Sequence, residues 1–287
     1  MTLFPSGLVS ALKLTLTQGQ PLSMAAMNTR DSHFTVHHDG VAIRVSRGGR
    51  GRPLVLCPGL LTPQADLHEL IGLLRLDHDV VTFDLRGHGL SSPGDRYTFE
   101  AFLGDFGAVM AESGYVGPRA VLVGHSLGAD LAVHYAAGHP DAVSGLVLVD
   151  GANPVPEPFL TEADLPEFRA MAEGLRHEFE RVAGTARQVL LSPQDFLDLN
   201  IEIEAVRSGI LDQYRRIDCP IHLIMAASMA GDGDDERARW RNENWRAGVE
   251  RLTRERPHVS TSWLDADHRL VVTHAREIAR LIRVAAH

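Results

Sequence analysis

Cysteine is scarce: Cys57 and Cys219 are the only two among 287 residues. Two thiols at strand-like positions make no disulfide framework and no metal-ligand spacing. Both read as small core residues. A run of roughly 18 consecutive apolar residues is also missing, which excludes a transmembrane helix. Positive charge is in deficit, with 28 Lys and Arg against 37 Asp and Glu and a net charge of -9. Without a basic stripe, neither nucleic acid nor a membrane surface is an expected partner. Gly7 to Leu12 is apolar, but Lys13 interrupts it and the charged leading region of a signal peptide is missing. Residues 1–30 therefore read as an N-terminal extension, and the expected setting is cytoplasmic. Gly231-Asp-Gly-Asp-Asp-Glu236 misses the twelve-residue calcium-loop pattern, so no metal is expected. The oligomeric state is left open.

What is present is ordinary globular material, 44% hydrophobic and 23% charged, long enough for one large α/β domain with an insertion. Its organising stretch is Ala120 to Ala137. Ala120-Val-Leu-Val123 is a short apolar run that reads as a buried strand. Gly124-His125-Ser126-Leu127-Gly128 follows, then a small-residue segment with good helix propensity. Strand, Gly-x-Ser-x-Gly, helix is the setting of a nucleophile elbow. The turn forces Ser126 into strained backbone angles and presents its hydroxyl beside a helix N-terminus.

Around this stretch strands alternate with helices. Phe34 to Val45 is a hairpin turning at Asp39-Gly40. Arg52–Cys57, Val80–Phe83, Val143–Val149, Pro220–Ala227 and Val259–Leu264 read as further strands. Asp66–Leu76, Phe99–Ser113, Asp234–Arg256 and Thr273–Val284 read as helices. The rhythm breaks at Ala152, where Pro154, Pro156 and Pro158 follow in close order. From Thr161 to about Asp212 the text is helical and charged, with Ser192 and Pro193 as a helix start. The expected fold class is α/β: a mostly parallel twisted sheet with helices on both faces. The core spans 31–151 and 217–287, and 152–216 is an inserted helical cap. Pro58-Gly59, Asp84 to Ser92, Ser126, Asp150, Asp232 and His268 all fall just after strands, which gathers them at one rim of the sheet.

These features together resemble the α/β-hydrolase fold, in its compact esterase, lipase and lactonase form. Pro58-Gly59, Asp84-Leu-Arg-Gly-His-Gly-Leu-Ser91, Gly124-His-Ser-Leu-Gly128 and Asp267-His268 carry the resemblance, which covers about residues 34–287. It implies catalysis without a cofactor, a helical cap at 152–216, and a base in the loop after the last strand. Of the chain's 15 histidines this selects His268. A serine hydroxyl needs such a base, and the base needs an orienting carboxylate. Two carboxylates compete. Asp232 is the nearest one after the strand Pro220–Ala227, although Met229 holds roughly the usual position. Asp150 ends the preceding core strand. Asp232 is taken first. The backbone N–H groups of Leu60 and Leu127 are the expected oxyanion donors. Asp84 and Arg86 are expected to pin their loop, and His125 to pack rather than react. His88 is read as structural, with substrate contact as the alternative.

The expected activity is hydrolysis of a carboxylic ester, thioester or lactone through an acyl-Ser126 intermediate, with a small acyl molecule as substrate. Carbon–carbon bond hydrolysis, or lyase or cyclase chemistry, on the same scaffold is the alternative. A ligand-binding protein with idle machinery is the third reading. Phe159, Leu160, Phe168, Met171, Phe179, Phe196 and Leu199 either line an apolar pocket or bury the cap on the core.

Overall fold

The computed structural model describes residues 31–114, 119–233 and 235–286. The N-terminal extension lies outside them.

Eight strands form one sheet: β1 (Ser32–His38), β2 (Val41–Gly49), β3 (Arg52–Cys57), β4 (His78–Phe83), β5 (Ala120–His125), β6 (Val143–Val149), β7 (Ile221–Ala226) and β8 (Ser260–Leu264). Their order across the sheet is β1-β2-β4-β3-β5-β6-β7-β8. The first two strands pair antiparallel, joined at Asp39 and Gly40, both with positive φ as a tight hairpin turn requires. From β4 to β8 every pairing is parallel. The central strands are continuous apolar runs because both faces are covered.

The helices are α1 (His68–Leu74), α2 (Phe99–Glu112), α3 (Leu127–Gly138), α4 (Leu165–Val182), α5 (Pro193–Ser208), α6 (Ile210–Tyr214), α7 (Glu236–Glu255), α8 (Leu270–Thr273) and α9 (Ala275–Ala285). α1 and α9 close one face over Leu54, Leu56, Val80 and Val123. α2, α3 and α7 close the other over Val55, Phe83, Leu122 and Leu148. Helix starts follow the sequence signals. Thr98 accepts from Ala101 N ahead of α2, and Ser192 forms a reciprocal capping box with Asp195 ahead of α5.

Between β6 and β7, α4, α5 and α6 are the α-helices, and no strand of the sheet lies there. Several ties fasten this segment to the rest, among them Arg187 Nε to Asp66 at 2.7 Å and Gly89 N to the carbonyl of Gln188 at 2.9 Å. Arg207 of α5 holds the buried Asp130 of α3 through two nitrogens, Nη2 at 2.7 Å and Nε at 3.1 Å. Gly87 and Leu190 are joined by a backbone bond of 2.7 Å. Register brings the strand ends to one level. His125 pairs with Val149, Val149 with Ile224, and Ala226 with Leu264. Ser126, Asp150 and the loop carrying His268 therefore leave the sheet at the same rim.

Candidate active site

Ser126 sits at φ 51° and ψ -121°, between β5 and the first turn of α3. That backbone is strained for a residue with a Cβ. Its two glycines are required by contact: a Cβ on Gly124 would lie 2.3 Å from the carbonyl of Gly128, and one on Gly128 would lie 2.2 Å from the carbonyl of Cys57. Leu61, Asp150 and Ala152 also have positive φ, so four of the five non-glycine positive-φ residues among those described lie around this rim.

His268 Nε2 stands 2.9 Å from Ser126 Oγ, and His268 Nδ1 stands 2.7 Å from Asp150 Oδ2. With an ionised carboxylate as acceptor, Nδ1 carries the proton and Nε2 accepts from the serine hydroxyl. Asp150 is fully buried. Its other oxygen, Oδ1, accepts from Ala226 N at 3.0 Å and from Trp245 Nε1 at 2.8 Å.

The carboxylate facing the histidine is thus Asp150, not the first-ranked Asp232. Asp232 is exposed. The cause lies in the turn after β7. Ala227 N and Ser228 N donate to the carbonyls of Leu264 and Ala266. Asn242 of α7 then accepts from Ala230 N and donates to the carbonyl of Gly231. The loop is drawn onto α7 before Asp232 is reached, and Met229 lines the cavity instead.

Leu60, Leu127, Ser126 and His268 share one cavity of about 180 Å³. The loop holding Leu60 is fixed from behind. Leu61 N donates to His88 Nε2 at 3.2 Å, and His88 Nδ1 donates to the carbonyl of Arg86 at 2.8 Å. His88 is buried, with both ring nitrogens used as those of a neutral imidazole. Burial lowers its pKa to about 4, and the bond to Arg86 opposes that fall. It does not line the cavity. Asp84 and Arg86 pin their loops through separate partners. Asp84 accepts from Gln64 N at 2.8 Å and Leu90 N at 3.0 Å. Arg86 grips buried Asp105 with two nitrogens, at 2.7 and 2.8 Å. His125 does more than pack, since its Nε2 donates to the carbonyl of His268 at 3.1 Å and steadies that loop. Burial, and then the neighbouring His268, lower its pKa to about 3.

Phe159, Leu160, Phe168, Met171 and Phe196 line the cavity. Phe179 and Leu199 do not; they pack into hydrophobic clusters. The sequence reading missed the polar wall: Asn200, Glu204, Arg207 and Arg241 also line the cavity, with Trp245. A usable signal existed in α7. Its buried residues include Ala238, Arg241, Trp245, Val249 and Leu252, a helical stripe in which an arginine occupies an apolar position.

Profiles of the alpha/beta hydrolase fold match residues 52–194. The chain is 29% identical over 141 residues to an sn-1-specific diacylglycerol lipase of Xenopus laevis, spanning 48% of this chain and 44% of that one. It is 36% identical over 105 residues to the N-formylmaleamate deformylase of Pseudomonas putida, spanning 36% of this chain and 38% of that one. The chain thus spans less than half the length of these curated relatives. Among solved structures, a bromoperoxidase of Bacillus anthracis superposes with a TM-score of 0.72 at 18% identity, covering 89% of this chain and 99% of the other. E-2-(acetamidomethylene)succinate hydrolase superposes with a TM-score of 0.67 at 20% identity, covering 90% and 99%. The fold and the family profile agree: the chain belongs to the α/β-hydrolase-fold superfamily. Hydrolase chemistry is the class that fold and relatives support.

Proposed function

We propose that the protein is a serine hydrolase that cleaves a small carboxylic ester, thioester or lactone through an acyl-Ser126 intermediate. The observation that carries the reading is the unbroken hydrogen-bonded line from Ser126 Oγ through His268 to Asp150. In this reading His268 Nε2 takes the serine proton as Oγ attacks the carbonyl carbon. Asp150 holds the imidazole in the tautomer that leaves Nε2 free to accept, then stabilises the imidazolium. The N–H groups of Leu60 and Leu127 receive the developing oxyanion at the N-terminus of α3. His268 returns the proton to the leaving group, and water repeats the sequence to release the acid.

The helical segment 152–216 acts as the cap that roofs the cavity and sets its size. About 180 Å³ is small against the roughly 300 Å³ at which pockets for drug-sized ligands begin. A short acyl group fits that volume better than the diacylglycerol of the lipase relative. The free thiols of Cys57 and Cys219 fit a reducing compartment, and the cytoplasm is the proposed setting.

The test is labelling by a neutral fluorophosphonate, read by intact-protein mass spectrometry. One adduct per chain is expected, on Ser126, and none on Ser126→Ala. Persistent labelling of that variant at the same rate sinks the assignment.

A further inference from the structure

Arg241 stands out on the cavity wall because its guanidinium is buried and incompletely bonded. The residue is 3% exposed. Its Nε and Nη2 make no hydrogen bond to any described residue. The nearest carboxylate is Glu167, whose Oε1 lies 3.5 Å from Nη2. Glu167 also faces Arg237 Nε at 3.5 Å, so it serves two guanidinium groups. The ring of Phe168 lies 5.9 Å from the guanidinium carbon. The other cavity arginine differs. Arg207 is held by Asp130 through two nitrogens, and Glu204 stands beside it on the same wall.

A buried charged donor left without its hydrogen bonds is costly, and completion by a ligand is one way such a group is retained. Burial pulls the Arg241 pKa below its ordinary value, with Glu167 opposing the fall. Arg241 stands four residues before Trp245 on α7, which places both on one helix face. Trp245 is the residue that holds Asp150. An anion on Arg241 is therefore seated in the same small cavity as Ser126 and His268.

We propose that Arg241 is a carboxylate anchor, and that the substrate is a short acyl compound bearing a free carboxylate besides the bond cleaved, such as the half-ester of a small dicarboxylic acid. The inference rests on the serine-hydrolase reading of the same cavity. One planar guanidinium offers the two-pronged donor set that matches a carboxylate. The small volume and the carboxylate of Glu204 in the wall disfavour a bulkier, doubly charged phosphate.

The test compares monoethyl fumarate with ethyl crotonate, in which a methyl group replaces the carboxylate. The wild-type protein is expected to prefer the half-ester in kcat/KM. Arg241→Met is expected to reduce that preference by about 10- to 100-fold, the range of a charge-assisted hydrogen bond. Arg241→Lys should restore part of it. An unchanged preference in Arg241→Met overturns the proposal. A second measurement needs no variant: protection of wild-type Ser126 from the fluorophosphonate by fumarate, fumaramide or inorganic phosphate. Protection by fumarate alone supports the anchor. Equal protection by fumaramide overturns it, and stronger protection by phosphate overturns the choice of carboxylate. Wild-type protein that is never labelled sinks the hydrolase reading instead, and fumarate binding by calorimetry then tests the anchor separately. Labelled protein with no preference for the acid sinks the anchor alone.

Discussion

Asp150→Asn separates the chemistry of the site from its shape. Asn has the same size, and its surroundings dictate how the amide must sit. Oδ1 of Asp150 receives two donors, Ala226 N and Trp245 Nε1. The amide oxygen of the variant side chain must stay there, because an NH2 group would oppose two N–H donors. The NH2 group is then turned toward His268 Nδ1, where Asp150 now accepts at 2.7 Å. A donor facing Nδ1 forces the ring proton onto Nε2, the nitrogen 2.9 Å from Ser126 Oγ. In the proposed mechanism the base then presents a proton to the hydroxyl it should deprotonate. The expected loss in kcat is about four decades, or about 5.5 kcal/mol of barrier. The assays are single-turnover hydrolysis of a short ester and the rate of Ser126 labelling, with thermal melting to show that the fold survives. Activity within tenfold of wild type in Asp150→Asn, together with a large loss in Asp232→Asn, would refute the reasoning.

Trp245→Phe removes one of the three donors to Asp150 while keeping an aromatic ring; a fall of roughly tenfold in kcat with little change in KM is expected, and full activity would show that the indole bond positions nothing. His88 and His125 titrate in the folded protein near 4 and 3, well below an unfolded histidine near 6.5, so the unfolded chain binds the extra protons as pH falls. Stability should therefore drop between about pH 6.5 and pH 4, by roughly 2 kcal/mol for each histidine between pH 7.5 and 5, measured by urea unfolding; His88→Gln should flatten part of that slope. Arg207→Met strands the fully buried carboxylate of Asp130 and should cost about 3–5 kcal/mol. Replacing Asp130 by Leu in the same chain should recover most of it, and a loss below about 1 kcal/mol in the single variant would contradict this account.

The elbow was legible because every requirement is local. A β-branched run, two glycines and a small-residue helix lie within 18 consecutive residues, Ala120 to Ala137. His268 was legible through the family resemblance, which puts the base in the loop after the last strand. The carboxylate was legible only as a choice between Asp232 and Asp150, because the choice depends on three distant things: the β5–β6–β7 register, the left-handed backbone at Asp150, and donors supplied by Ala226 and Trp245. Asp232 looked suitable by sequence distance, but Asn242 turns its loop away. Arg241 was hidden by company. Among the many charges of α7 it reads as another solvated residue until its place in the stripe from Ala238 to Leu252 is counted. The roles of His88 and His125 depend on carbonyl and amide groups of remote loops, which no side-chain pattern announces.

The bond between Arg207 and Asp130 has a consequence for how such proteins diversify. On the proposed reading of 152–216 as a cap, the cavity roof is encoded by one contiguous stretch that could be exchanged as a unit. One anchor for that stretch, the buried Asp130, lies on the elbow helix, outside the exchanged piece. A transplanted roof lacking an arginine at the position of Arg207 would inherit a stranded acid beneath it. Successful recombination thus has to carry both ends of the tie, or remove both, and the two sites are expected to change together along any lineage that swaps its substrate.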